Sequence, residues 1–198
     1  MVAIVLAAGS ARRLGAPKQR LPLGRTTLLG WVLADVAASR IERAVVVCDA
    51  ATAAWLEPPV GAPVELAIPA EAGGSCLNSI RTGLDAAGDC DAAMLVLGDM
   101  PGVGTGTIDA LREYWQRDRP WAAVTAYRDG PGHPLVFSAE AFADLRGLHG
   151  DRAVWKLLER SPERVARMEV DAARPLDVDT WDDYRRVVAA LAPETASA

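Results

Sequence analysis

Short, nearly continuous apolar runs rich in β-branched residues recur along this chain, separated by stretches whose apolar residues fall at helical spacing. The runs are Val2–Ala8, Ala44–Cys48, Val64–Ile68, Ala92–Leu97 and Ala122–Tyr127. A strand with one wet face alternates apolar and polar residues, whereas a run that is apolar at almost every position needs cover on both faces. Between the runs, Thr27–Ala38, Cys76–Ala87 and Thr105–Arg117 read as helices, most clearly in Leu28, Leu29, Val32, Leu33 and Val36. Strand–helix alternation of this kind predicts an α/β fold with a mostly parallel central sheet and helices on both faces.

Past Pro131 the pattern is less regular. Helices are expected over Ala139–Leu145, Arg152–Arg160 and Trp181–Leu191, and a strand near Val165–Val170. Thr180, three residues before Asp183, forms a capping-box pattern at the start of the last helix. The sequence contains no internal repeat and no low-complexity linker. With 198 residues, the expectation is a single domain over residues 1–192 and a small polar tail at 193–198 that frays.

Charge is unevenly placed. The 21 basic and 26 acidic residues give a net charge of −5, which argues against non-specific binding to nucleic acid or an anionic membrane. Yet the first 25 residues contain no acidic side chain, while Arg12, Arg13, Lys18, Arg20 and Arg25 all lie there. Such a local positive patch on an acidic chain suits an anion-binding pocket. The three cysteines, Cys48, Cys76 and Cys90, lack C-x-x-C spacing, and with only His133 and His149 to join them no zinc set is apparent. Reduced thiols, the lack of a secretory signal pattern and the absence of an apolar run of membrane-spanning length predict a cytoplasmic protein.

Two segments could carry chemistry. The first is Leu6-Ala7-Ala8-Gly9-Ser10-Ala11-Arg12-Arg13-Leu14-Gly15-Ala16-Pro17-Lys18-Gln19, directly after the first strand. Small residues at a strand end let the backbone turn sharply and aim several N–H groups at one centre, a nest for phosphate oxygens. Arg13 would add a planar fork and Lys18 a point charge. The glycine spacing matches neither the G-x-G-x-x-G dinucleotide fingerprint nor a P-loop; a plain glycine turn with solvated arginines is the alternative. The second segment, Gly98-Asp99-Met100-Pro101, ends the most apolar strand. Ligands collect at the carboxyl ends of strands in open α/β sheets, and a carboxylate facing a phosphate nest can ligate nucleotide-bound Mg²⁺. The alternative there is an Asp that holds its own turn.

Taken together and in this order, L-A-A-G-x-x-x-R-x-G-x-P-K-Q and G-D-M-P resemble the MobA-like nucleotidyltransferases, and among them the MocA-type molybdenum-cofactor cytidylyltransferases. The similarity extends through Gly74–Leu84, Gly132-His133-Pro134, His149-Gly150-Asp151-Arg152 and Leu176–Thr180. It implies a three-layer, Rossmann-like nucleotidyltransferase fold, with residues 1–130 forming a nucleotide-binding part and 131–192 an acceptor-binding part. Nucleotide-binding roles are implied for Leu6, Ala7, Ala8, Gly9, Ser10, Arg13, Lys18, Ser75, Ser79 and Gly98. Catalytic roles fall to Arg13, Lys18 and Asp99, with Asp99 as the Mg²⁺ ligand. Ala8 stands where relatives using CTP have Ala and those using GTP tend to have Gly, so CTP is the expected substrate. Acceptor contacts are implied for His133, expected in a loop after the fifth strand, and for Asp177 and Asp179. Those two aspartates share a face of an extended segment and could add a metal ligand. Alternatively Asp179, with Asp182 and Asp183, simply favours the N-terminus of the last helix.

The implied reaction moves a nucleoside monophosphate onto a phosphate acceptor, the molybdopterin of molybdenum cofactor, and releases pyrophosphate. A recipient molybdoenzyme or its chaperone would then be the protein partner. Two other functions fit the same residues: a sugar- or alcohol-phosphate nucleotidyltransferase, and a non-catalytic accessory protein that binds nucleotide or cofactor.

Overall fold

The computed structural model describes residues 1–9, 14–59, 63–70 and 75–192. Strand β1 (Val2–Leu6) comes first, and a single 3-10 turn at Lys18–Arg20 precedes a small hairpin of β2 (Pro22–Leu23) and β3 (Thr26–Thr27). Helix α1 (Leu28–Ala38), β4 (Arg43–Val47), the one-turn α2 (Ala50–Ala53), β5 (Val64–Ala67) and α3 (Cys76–Ala87) follow. Then come β6 (Ala92–Leu97), α4 (Gly104–Asp118), β7 (Ala122–Tyr127) and β8 (Gly130–Ser138). Helices α5 (Phe142–Arg146) and α6 (Ala153–Arg160), strand β9 (Val165–Val170) and helix α7 (Trp181–Leu191) complete the order.

Seven strands form one sheet in the order β5-β4-β1-β6-β8-β7-β9. β1 pairs in parallel with both β4 and β6, which places Ile4 between Val45 and Leu95. The pairs β4–β5 and β7–β9 are also parallel. Only β8 runs against its neighbours, β6 and β7. The mostly parallel α/β sheet expected from the apolar runs is therefore the architecture the chain adopts.

Alternation along each strand feeds two cores. Ala3 and Val5 pack with Leu29, Leu33, Ile108 and Leu111 on the side covered by α1 and α4. Val2 and Ile4 pack with Ile80, Leu84, Leu145 and Leu158 on the side covered by α3, α5 and α6. Each fully buried Leu or Ile contributes about 1.5–3 kcal/mol. Helix α3 reaches the sheet through Gly83, where an added Cβ would lie 2.4 Å from Ile4 Cγ2. A third cluster, including Leu14, Leu23, Leu28, Val178, Val187 and Val188, packs α7 against the hairpin and α1. The capping box at Thr180 and Asp183 forms as its spacing predicts. Among the described residues no helix is long and apolar enough to cross a membrane.

The structure corrects the expectation of a loop around His133, which lies in β8, the strand between β6 and β7. Two glycines and two prolines in Gly130-Pro131-Gly132-His133-Pro134 argue locally against a strand. The register of the β7–β8 pair shifts at this point, however: Val124 faces Leu135 while Thr125 faces Gly132. His133 and Pro134 therefore bulge out of the ladder, so the missing N–H of Pro134 costs no ladder bond. Their carbonyls are served by side chains of β7. Thr125 Oγ1 donates to Pro134 O at 2.8 Å, and the Tyr127 hydroxyl donates to His133 O at 2.7 Å.

Smaller differences lie at element ends. Strand β1 stops at Leu6, leaving Ala7 and Ala8 as the turn. Thr27 is the cap of α1, its Oγ1 accepting from the Gly30 N–H at 3.0 Å. The β2–β3 hairpin and α2 are too short to produce a periodic signal.

Candidate functional site

From β1 the sheet grows outward through β4 to β5, then continues on the other side of β1 with β6. The carboxyl ends of β1 and β6 thus flank the point where strand order reverses, and a ligand crevice opens there in folds of this kind. Both motifs read from the sequence fall at this point. The Gly98 N–H donates to Leu6 O at 3.0 Å and ties the two strand ends together. A side chain at position 98 would be crowded: a Cβ would lie 3.0 Å from Ala7 Cβ, 3.1 Å from Leu6 O and 3.2 Å from Leu29 Cδ1.

The turn after β1 is held from inside by Gln19. Its buried Nε2 donates to Ala7 O at 2.7 Å and Gly9 O at 3.2 Å, and the Ala7 N–H donates to Val47 O at 2.8 Å. Both backbone groups of Ala7 are therefore engaged within the protein, and Ala8 and Gly9 form the wall of the crevice. Lys18 is 5% exposed. Its ammonium donates to the Asp99 carboxylate, to Val178 O at 3.3 Å and to Asp179 Oδ1 at 3.3 Å. The Val178 N–H in turn donates to Asp99 O at 3.0 Å. Residues far apart in sequence are thus fastened around one amine.

Two adjoining clefts result. One, of about 200 Å³, is lined by Leu6, Ala8, Gly9, Lys18, Gln19, Cys76, Ser79, Leu97 and Asp99. The other, of about 170 Å³, shares Leu6, Cys76 and Leu97 with it and adds Ser75, His133, Arg152 and Trp155 among largely apolar neighbours. His133 and Trp155 meet edge to face at 5.8 Å. Of the residues singled out from the sequence, Leu6, Ala8, Gly9, Lys18, Ser79 and Asp99 come together in the first cleft, and Ser75 and His133 in the second. Ala7 and Gly98 lie just beneath the wall. Asp179 reaches Lys18, while Asp177 is exposed and adds negative charge near Asp99. Ser10 and Arg13 lie outside the described residues. Sequence reading gave no role to Gln19, Cys76, Leu97 or Trp155. Gln19 stood within the first motif and Cys76 within Gly74–Leu84; Leu97 and Trp155 carry no local signal.

Burial sets the electrostatics. Desolvation works to lower the Lys18 amine, but the charges of Asp99 and Asp179 outweigh it and hold the group above its ordinary value. Burial and the neighbouring Asp99 charge push the Cys76 thiol up. Burial brings the His133 imidazole down to about 4, so it is neutral near pH 7. The unfolded chain takes up that proton at about 6.5, the ordinary histidine value, whereas the fold resists it until about 4. Stability from this group is therefore complete above pH ~6.5 and declines as pH falls toward 4. Urea midpoints followed from pH 7.5 to 4 should fall more steeply for the wild type than for His133→Gln. Parallel curves would discharge His133 as the source.

Fold and crevice together define a protein of the nucleotidyltransferase class. The chain belongs to the MobA-like NTP transferase domain family, whose model matches residues 3–165. It is 26% identical over 204 residues to the purine catabolism protein PucB of Bacillus subtilis, covering 96% of this chain and 97% of that protein. Among solved structures, the homologue of Mycobacterium tuberculosis Rv0371c from Mycobacterium sp. strain JC1 is 39% identical with a TM-score of 0.83, covering 98% of this chain and 97% of that one. The manganese complex of M. tuberculosis Rv0371c is 33% identical with a TM-score of 0.75, over 95% and 97% of the two chains.

The side chains present also bear on a metal ion. Among the described residues no group of three or more His, Cys, Asp or Glu converges as a ready-made cage. Asp99 and Asp179 do direct carboxylate oxygens at one cationic centre, the Lys18 amine. One or two carboxylates, with substrate phosphates and water completing the shell, is the usual protein share of a Mg²⁺ site. The donor set fits.

Proposed function

We propose that this protein transfers CMP from CTP, in preference to GMP from GTP, onto the phosphate of a molybdopterin-type acceptor and releases pyrophosphate. The observation that carries this reading is the buried Lys18, held between Asp99 and Asp179 beside the Ala8–Gly9 wall at the strand-order switch. Ala8 at the third position of the first motif favours cytosine, and Ser79 in the same cleft is a candidate contact to the base. A phosphate monoester is already anionic at neutral pH, so the acceptor oxygen can attack the α-phosphorus without a protein nucleophile. A new P–O bond forms there as the bond to the β-phosphate breaks, and pyrophosphate leaves with the electron pair. The protein's contribution is positioning and charge neutralisation: Lys18, together with Arg13, compensates the charge that builds on the leaving group. Asp99 and Asp179 would hold Mg²⁺, which when bound supplies Lewis-acid charge to the phosphates; a manganese complex of a relative supports a divalent ion. The second cleft is the candidate acceptor chamber, with His133 and Trp155 as an aromatic wall; acceptor contacts from Asp177 and Asp179 are part of the same proposal. The free thiols Cys48, Cys76 and Cys90 support a reducing, cytoplasmic setting.

Pyrophosphate release measured with Mg²⁺ across CTP, GTP, ATP and UTP, with and without molybdenum-loaded molybdopterin, tests the reading. Release is expected with CTP and acceptor together, and more slowly with GTP. Nucleotide binding without release for any acceptor would instead identify an accessory protein.

A further inference from the structure

Lys18 has three ammonium hydrogens and three oxygen partners: the Asp99 carboxylate, Val178 O and Asp179 Oδ1. An ammonium has no further donor to give. In this arrangement it therefore cannot also grip a triphosphate, and it occupies two carboxylates suited to a divalent cation. The three oxygens come from two separated segments, residue 99 and residues 178–179, and the Val178 N–H to Asp99 O bond locks these together. The amine thus sits among two carboxylates and one backbone carbonyl, all hard oxygen ligands.

We propose that Lys18 is a resident cation that the divalent metal must displace, so that metal and nucleoside triphosphate enter the site as a coupled pair. The inference rests on the roles given above to Asp99 and Lys18. A metal arriving alone would have to expel the amine into the cleft with no new partner. A triphosphate arriving alone would have to draw Lys18 away and leave the Asp99 carboxylate without the cation it is paired with. When both arrive, the carboxylates pass to the metal and the amine passes to the phosphates, and the cost of breaking the tripod is met once. Each ligand therefore tightens the other by the same factor, as linkage requires. The charge balance agrees: the site exchanges a monovalent for a divalent cation while freeing one positive charge for the incoming anion.

Mn²⁺ binding to the full chain, followed by its electron paramagnetic resonance signal, tests this without turnover. The wild type should bind Mn²⁺ weakly alone and about 5–150-fold more tightly with α,β-methylene CTP, the span of ordinary allosteric coupling. Lys18→Met should bind Mn²⁺ alone more tightly than the wild type by a factor in that range, with most of the coupling lost. Lys18→Gln, which keeps a polar end, should behave similarly. Added Mn²⁺ should raise the melting temperature of either variant more than that of the wild type, a readout that also reveals a variant folded only with metal. If both variants bind Mn²⁺ no more tightly than the wild type while Asp99→Asn loses binding, the metal site stands and the displacement falls. If Asp99→Asn binds Mn²⁺ like the wild type, the metal assignment and the displacement fall together.

Discussion

Asp99→Asn is expected to release pyrophosphate about 10²–10³-fold more slowly than the wild type, and Lys18→Ala to lose a similar factor, the usual consequence of removing one group that stabilises transition-state charge. The two losses have different origins. Asparagine keeps the shape of Asp99 and leaves Lys18 paired with Asp179 and Val178 O, so the fold has little to adjust and the defect is one of charge. Alanine at position 18 removes the amine from a buried position and takes from Asp99 the cation paired with it. Stripping one partner from a fully buried pair is costly, but the side chains of Asp99 and Asp179 are 20% and 37% exposed, so water takes up much of the released charge. Both variants should melt cooperatively. A folded Asp99→Asn with near-wild-type pyrophosphate release would sink the assigned site.

Much of this site was legible from residue chemistry alone. The acid-free first 25 residues led to the expectation of an anion pocket on a chain of net charge −5, and the structure puts Lys18, one of two lysines, buried in the cleft against Asp99 and Asp179. The apolar runs located the strands because residues covered on both faces have no freedom to be polar. Legibility ended where tertiary contacts overrode local preference. Gly130–Pro134 reads as a loop, and becomes part of a strand because a register shift in β7 removes the need for a Pro134 donor and Thr125 and Tyr127 serve the exposed carbonyls. Trp155 enters the second cleft only because α6 packs across the sheet, which no local pattern encodes. The division at residue 130 is likewise a sequence boundary that the site crosses, since Val178 and Asp179 reach back to Lys18.

Gly98→Val should damage the site without touching a charged group. Glycine at this position is dictated by space: its φ lies outside the left-handed region, but Ala7, the Leu6 carbonyl and Leu29 stand 3.0–3.2 Å from where a Cβ would project. A methyl group alone requires each neighbour to give by a few tenths of an ångström, and the carbonyl cannot move without breaking its bond from the Gly98 N–H. Valine's two further carbons push the β1 and β6 ends apart. That shifts the Ala8–Gly9 wall on one side and Asp99 on the other, so the cleft wall and the carboxylate move in opposite directions. Overpacking of this kind costs about 1–3 kcal/mol of stability, and a displacement near 1 Å between reacting groups costs about 10²-fold in rate. Gly106, an exposed helical glycine with no atom within 4 Å of its would-be Cβ, supplies the contrast. Gly106→Ala should raise stability by about 0.5–1 kcal/mol through lower chain entropy in the unfolded state, with turnover unchanged. Urea denaturation and pyrophosphate release on the two variants separate the cases. If Gly98→Val folds and turns over like Gly106→Ala, the junction between β1 and β6 does not set the geometry of the site.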